Sequence, residues 1–175
     1  MDEIEKVIAA FREMKFRPNI DDFQDRLIAQ KINCLLNLSG VNTGFECNLY
    51  IRGPYSPQLA DALFTNRERV ETLQSSVVFR SEEKEKIKEL KSIFGTNASH
   101  LEIGSTYGYL TMKMHMPPME AIKTVKSMKS FFTEAQIAVG ISKAKEFLIT
   151  PTKDVEAEVI AESEMWNKAH PIKDN

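Results

Sequence analysis

Residues 45–59 read Phe-Glu-Cys-Asn-Leu-Tyr-Ile-Arg-Gly-Pro-Tyr-Ser-Pro-Gln-Leu, and the rest of the chain is best read outward from them. Phe45, Cys47, Leu49 and Ile51 alternate with Glu46, Asn48, Tyr50 and Arg52. A strand sends successive side chains to opposite faces, so the alternation predicts one half-buried strand. Gly53-Pro54 is expected to stop it, because proline has no N–H to give to a ladder. Ser56 then has the chemistry of a helix N-cap, with Pro57 at the first helical position. Tyr50 and Arg52 end the exposed face and Tyr55 sits on the turn. Two readings of these residues stay open. They form an aromatic and arginine anchor of the kind enriched at binding hot spots, or they are turn chemistry with Tyr55 packed into the core.

Helical periodicity surrounds this stretch. Ile4, Val7, Ile8, Phe11 and Met14 predict a helix over 3–15 with Asp2 as cap, broken at Arg17-Pro18. Phe23, Leu27, Ile28, Ile32, Leu35 and Leu36 give 22–38 a broad apolar face, the mark of a central core helix. Asn19 or Asp21 is its expected cap and Gly40 its left-handed terminus. After Pro57 a helix runs to about 66, with Leu59, Leu63 and Phe64 as candidate inward residues, and 67–80 stays ambiguous. Ser81 is expected to cap a helix over 82–94. The spacing of Ile103, Tyr107, Leu110 and Met114 predicts a helix over 99–114. Gly104 and Gly108, one turn apart within it, each cost about 1 kcal/mol relative to alanine and so point to a close backbone neighbour. Helices over 118–128 and 134–148 follow, the second capped by Thr133. The expected architecture is mainly α with a small β element (α+β). One compact helical domain covers 1–150, and an acidic helical tail covers 151–175 with its helix at 154–167.

Composition limits the function classes. Of 175 residues, 42% are hydrophobic and 27% charged, ordinary globular usage, and the formal net charge of −2 gives no whole-chain signal for nucleic acid. No apolar run is long enough to span a membrane. Met1-Asp2-Glu3-Ile4-Glu5 lacks the basic and apolar regions of a signal peptide. Cys34 and Cys47 read as buried, unreactive thiols of a reducing compartment, so a cytoplasmic location is expected.

Catalytic signatures are thin. His100, His115 and His170 are isolated, and neither Cys-x-x-Cys nor His-x-x-x-His spacing occurs, so no metal or cofactor is expected. Neither phosphate-binding glycine pattern nor a Gly-x-Ser-x-Gly elbow is present. Asp21-Asp22 and Glu82-Glu83 suit helix starts. No enzyme is expected. The basic stretch carries more weight. Between Lys113 and Lys145, six lysines face Glu120 and Glu134, a local excess of +4. They fall on two helices joined by a short turn, the outline of a winged-helix-like or helix-turn-helix hairpin at 119–148. Its candidate DNA-binding residues are Lys123, Lys126, Lys129, Gln136 and Lys143. A solvated lysine face is the commoner meaning of such a pattern.

Gln30-Lys31-Ile32 with Leu35-Leu36, the following strand, and Gly53-Pro54-Tyr55-Ser56-Pro57-Gln58-Leu59-Ala60 together resemble the YwgA-like proteins of bacteria and archaea. More distantly they resemble the Panacea (SocA-like) antitoxin domain. Phe132-Thr133-Glu134-Ala135-Gln136-Ile137 is similar to a helix start of the same proteins, and the likeness covers about 20–150. Gln58 stands where that family often has glutamate, and the acidic tail has no counterpart. The resemblance implies a non-enzymatic, prokaryotic regulatory protein, antitoxin- or adaptor-like. Its partner would be a protein, a toxin or a protease substrate; the resemblance carries over Gly53, Pro54, Tyr55, Ser56 and Leu59 as its turn signature, and these with Tyr50 and Arg52 of the anchor reading make the candidate partner-binding set. A nucleic-acid partner is the alternative, and no membrane partner is expected.

Overall fold

The computed structural model describes residues 2–149 and, in the tail, only 161, 164 and 165; the predicted helix at 154–167 lies outside the described residues as an element. In chain order the elements are α1 (Glu3–Met14), α2 (Phe23–Leu38), β1 (Asn48–Tyr50), β2 (Gly53–Tyr55), α3 (Pro57–Thr65), α4 (Arg67–Glu71), α5 (Ser81–Phe94), α6 (Ala98–Met112), α7 (Pro118–Met128) and α8 (Glu134–Leu148). The fold is mainly α with one small antiparallel sheet.

α6 is the axis. From Leu101 to Gly108 every residue is buried, and α8 and α2 pack along its sides. The sequence suggested a single apolar stripe, but a helix enclosed by neighbours buries its whole circumference. The glycines are where the neighbours come closest. A Cβ on Gly104 would stand 2.6 Å from the Phe94 ring, and one on Gly140 would stand 2.5 Å from Ile103 Cγ2. Gly104 lies against Gly140 and Gly108 against Leu148, so α6 and α8 advance in the same direction, with α7 as the crossover between them.

Local chemistry sets most boundaries. Asp22, rather than Asn19 or Asp21, caps α2, accepting from the backbone N–H groups of Gln24 and Asp25. Ser56 accepts from Leu59 N–H to cap α3, and Pro57 follows it. Thr133 and Gln136 form a reciprocal capping box at the start of α8. Arg80, not Ser81, is the N-cap of α5, with Glu83 bonding back to the Arg80 N–H. Residues 67–71 are a separate short helix after a break at Asn66.

The single strand expected over 45–52 is not what forms. β1 pairs with β2 in the register Asn48↔Tyr55, Leu49↔Pro54 and Tyr50↔Gly53, so Ile51 and Arg52 are a turn and Gly53-Pro54 is a strand. Proline is tolerated because a two-stranded sheet has edges on both sides. Gly53 supplies the left-handed backbone (φ +100°) that the reversal needs. Apolar alternation holds for Phe45 and Leu49 and fails at Ile51, which is 94% exposed at the tip. Phe23 and Phe64, expected inward, are also more than half exposed.

Replacing Gly140 by alanine is expected to destabilise the fold by about 1–3 kcal/mol despite alanine's better helix propensity, because Ile103 is β-branched and held in a helix. The midpoint and slope of a urea unfolding curve measure it.

Candidate functional site: a hairpin fastened by two buried lysines

The hairpin of β1 and β2 stands on polar side chains from three helices. Gln30 of α2 bonds Ser56 twice: its Nε2 donates to Ser56 O and its Oε1 accepts from Ser56 N–H, both at 2.9 Å. Lys31 Nζ donates to Pro54 O at 2.7 Å. Lys129, at the end of α7, donates to Arg52 O at 2.7 Å and to Glu102 Oε1 of α6 at 2.8 Å. Upstream, Asn33 and Asn37 both donate to Phe45 O at 2.9 Å. The hairpin is too short to satisfy its own carbonyls, and buried carbonyls need donors. These helices supply them.

Gly53 sits where the two ammonium groups converge. A Cβ there would stand 2.6 Å from Thr106 Oγ1 and 3.6 Å from both Lys31 Nζ and Lys129 Nζ. Lys129 has Glu102 as counter-ion, while Lys31 has only carbonyl and distant charge to hold it. Burial, and then the charge of Lys129, lower the Lys31 pKa from 10.5 to about 8.

Above this base the surface is aromatic and cationic. The Tyr50 and Tyr55 rings meet edge to face at 5.6 Å. Arg52 lies over the Phe23 ring at 5.6 Å, and Arg26 lies between Phe23 and Phe64. Two clefts flank the turn. One, of about 510 Å³, lies between the hairpin and α3 and is walled by Phe23, Arg26, Tyr50, Tyr55, Leu63 and Phe64. The other, of about 740 Å³, runs towards α6 and is walled by Arg52, Asn97, Glu102, Met128, Phe131 and Phe132. Phe23, Leu27, Ile51 and Arg52 belong to both.

The residues singled out in the sequence separate into two roles. Tyr50, Arg52 and Tyr55 are exposed on the face, and Tyr55 does not pack into the core. Gly53, Pro54, Ser56 and Leu59 are buried beneath it as support. Sequence reasoning missed Ile51, Phe23, Phe64 and Arg26 on the face and Gln30, Lys31, Glu102 and Lys129 below it. A buried lysine carries no periodic signal.

The lysines of 119–148 do not form one solvated face. Lys129 is 1% exposed and ion-paired, which corrects its placement on a DNA-facing surface. Lys143 donates to Ile93 O at the end of α5 at 2.6 Å, and Gln136 is occupied in the capping box. Lys123 and Lys126 are exposed. The sheet lies at 48–55, ahead of both helices in the chain. Among the described residues no helix is long and apolar enough to cross a membrane, and no three acidic, histidine or cysteine side chains cluster as metal ligands would.

No protein-family model, curated protein or solved structure matches the chain.

Two measurements test the base. The folded state gives up the Lys31 proton near pH 8, whereas the unfolded chain holds it to about 10.5. The unfolded state therefore binds more protons in between, and stability rises with pH there. Relative to Lys31→Met, the wild type should gain about 2 kcal/mol between pH 7 and pH 10, read from urea curves of both proteins. Lys129→Met leaves the Glu102 carboxylate without its counter-ion and should cost about 3–5 kcal/mol. Adding Glu102→Leu should recover part of that loss in the same assay.

Proposed function

We propose that this chain is a non-enzymatic regulatory protein-binding module, antitoxin- or adaptor-like, acting in the prokaryotic cytoplasm. It captures a partner protein through the hairpin tip and the aromatic face around it. One observation carries the reading: Ile51 is a β-branched apolar side chain 94% exposed on a turn whose base is fixed by buried lysines. An exposed aliphatic tip gains nothing for the isolated fold, whereas clustered exposed apolar residues mark interaction sites. The surrounding Phe23, Tyr50, Tyr55 and Phe64 with Arg26 and Arg52 are the residue types that dominate binding energy. A rigid platform reduces the ordering cost of association.

The likeness to YwgA-like proteins and the Panacea antitoxin domain points the same way. The residues that carry it are packed on one another: Gln30 holds Ser56 and Lys31 holds Pro54. A toxin, or a protein held for proteolysis, is the corresponding partner. Two arginines at the rim favour an acidic border on it. The alternative, a helix-turn-helix DNA binder using Lys123, Lys126, Lys129, Gln136 and Lys143, has weaker support. Its exposed remainder on α7 and α8 is interrupted by Glu134 and Glu146.

The test is a pull-down from nuclease-treated lysate of the source cells. The captured protein is then purified and titrated against wild type, Ile51→Asp and Arg52→Glu. Ile51 has no packing to lose, so its variant should melt with the wild type while its affinity falls roughly 30-fold or more. An unchanged Kd in both variants removes the hairpin as the binding site. Salt-sensitive binding to duplex DNA, lost in Lys123→Glu/Lys126→Glu, would favour the alternative.

A further inference from the structure

The cleft between the hairpin and α3 is lined by cations of one sign only. Its walls hold Arg26, Lys31 and Arg52 and, among the described residues, no carboxylate. None of the three forms an ion pair with a described residue. Lys129, on the other side of Gly53, differs in this respect, because Glu102 lies 2.8 Å from its ammonium group. Both arginines lie over aromatic rings, and Arg26 also donates to Ile20 O at 2.7 Å.

Lys31 is the least compensated of them. It is 4% exposed, and its ammonium carries three N–H donors, one of which is held by Pro54 O. A buried ammonium held by a carbonyl lacks the compensation that a counter-ion gives. Its Nζ stands beside Gly53, and both residues line the cleft. At neutral pH the group is still a cation, since burial and the Lys129 charge lower its pKa only to about 8.

The remaining walls are apolar. Phe23, Leu27, Tyr50, Tyr55, Leu63 and Phe64 surround about 510 Å³, within the range of about 300–1,000 Å³ usual for small-molecule sites. Gln30 also lines the cleft, but its amide is occupied at both ends by Ser56. A nucleotide or a sugar would leave its hydroxyls unpaired against such walls. A hydrocarbon chain ending in one anionic group would not.

We propose that this cleft binds a small monocarboxylic acid with an apolar chain. The carboxylate pairs with Lys31, and the chain lies between the hairpin tyrosines and α3. An ion pair shielded from water is stronger than one on the surface, and Arg52 at the exposed turn adds positive potential that draws the anion in. The site does not depend on the capture of a protein by the same face.

The test is a calorimetric titration of the full chain at neutral pH with octanoate. 1-Octanol serves as the uncharged counterpart and acetate as the charge without the chain. Octanoate should bind at one site per chain with a sub-millimolar Kd, and the other two about tenfold more weakly or worse. Lys31→Met should weaken octanoate by about tenfold or more while 1-octanol binds as before or tighter, a split that general loss of structure would not produce. Ala60→Phe adds a ring to a half-exposed wall position without touching a charge. It should weaken both ligands, and it keeps the test decisive if Lys31→Met does not fold. Equal affinity for octanoate and 1-octanol would overturn the proposal, as would an octanoate Kd unchanged in Ala60→Phe. So would the absence of octanoate binding at millimolar concentration.

Discussion

Two lysine ammonium groups are buried beneath one glycine, and much of the structure is arranged around that fact. Lys31 of α2 and Lys129 at the end of α7 both reach Gly53 and donate hydrogen bonds to Pro54 O and Arg52 O. Taking an ammonium group out of water costs several kcal/mol unless hydrogen bonds and a counter-ion compensate. Glu102 supplies the counter-ion for Lys129, and carbonyls supply the acceptors for both. Position 53 cannot carry a side chain, because its backbone is left-handed and Thr106 stands 2.6 Å from where a Cβ would be. α2, α6 and the end of α7 are therefore tied to one another through three residues of a hairpin.

Such a base explains how so small a sheet is held. An isolated two-stranded hairpin is marginal in water, and this one has three residue pairs with a proline in one strand. Its stability comes from below. Gln30, Lys31 and Lys129 satisfy the carbonyls that a third strand would otherwise satisfy, and Gln30 also accepts the Ser56 N–H before that residue caps α3. Among the described residues, no buried side-chain nitrogen or oxygen lacks a partner. A polar network that is fully satisfied fixes one geometry, and a half-satisfied one would favour several. The exposed aromatic face stands on the former kind.

The second polar region, at the root of the hairpin, belongs to the same helix face. Asn33 bridges Phe45 O and the Cys47 sulfur, and Cys34 follows it in the chain. Lys31 contributes to both regions: it holds Pro54 O, and its charge acts on Cys47. α2 thus presents a run of polar side chains, Gln30, Lys31, Asn33 and Asn37, to a loop and sheet that have few bonds of their own. An amphipathic reading assigns those positions to solvent. Here Gln30, Lys31 and Asn33 are buried and Asn37 half-buried, because the partner is irregular backbone, which needs donors rather than methyl groups.

Most of the helices and some of their ends were legible in the sequence. Apolar residues recurring at 3.6 positions locate α1, α2, α5, α6 and α8, and Ser56-Pro57 and Thr133 mark starts through bonds made within one turn. Gly104 and Gly108 marked a close approach, which Phe94 of α5, Leu38 of α2 and Gly140 and Leu148 of α8 fill. Tyr50 and Arg52 could be placed on an exposed face because a short stretch of chain decides which way they point, whereas the exposure of Tyr55 was left open until its neighbours were placed. What only the tertiary structure decided was the pairing of Asn48–Tyr50 with Gly53–Tyr55, the exposure of Phe23, Ile51 and Phe64, and the burial of Lys31 and Lys129. Periodicity reports how one element divides its own faces. It carries no record of which residues, distant in the chain, supply a counter-ion or a carbonyl, and those partners determine whether a lysine is solvated or buried.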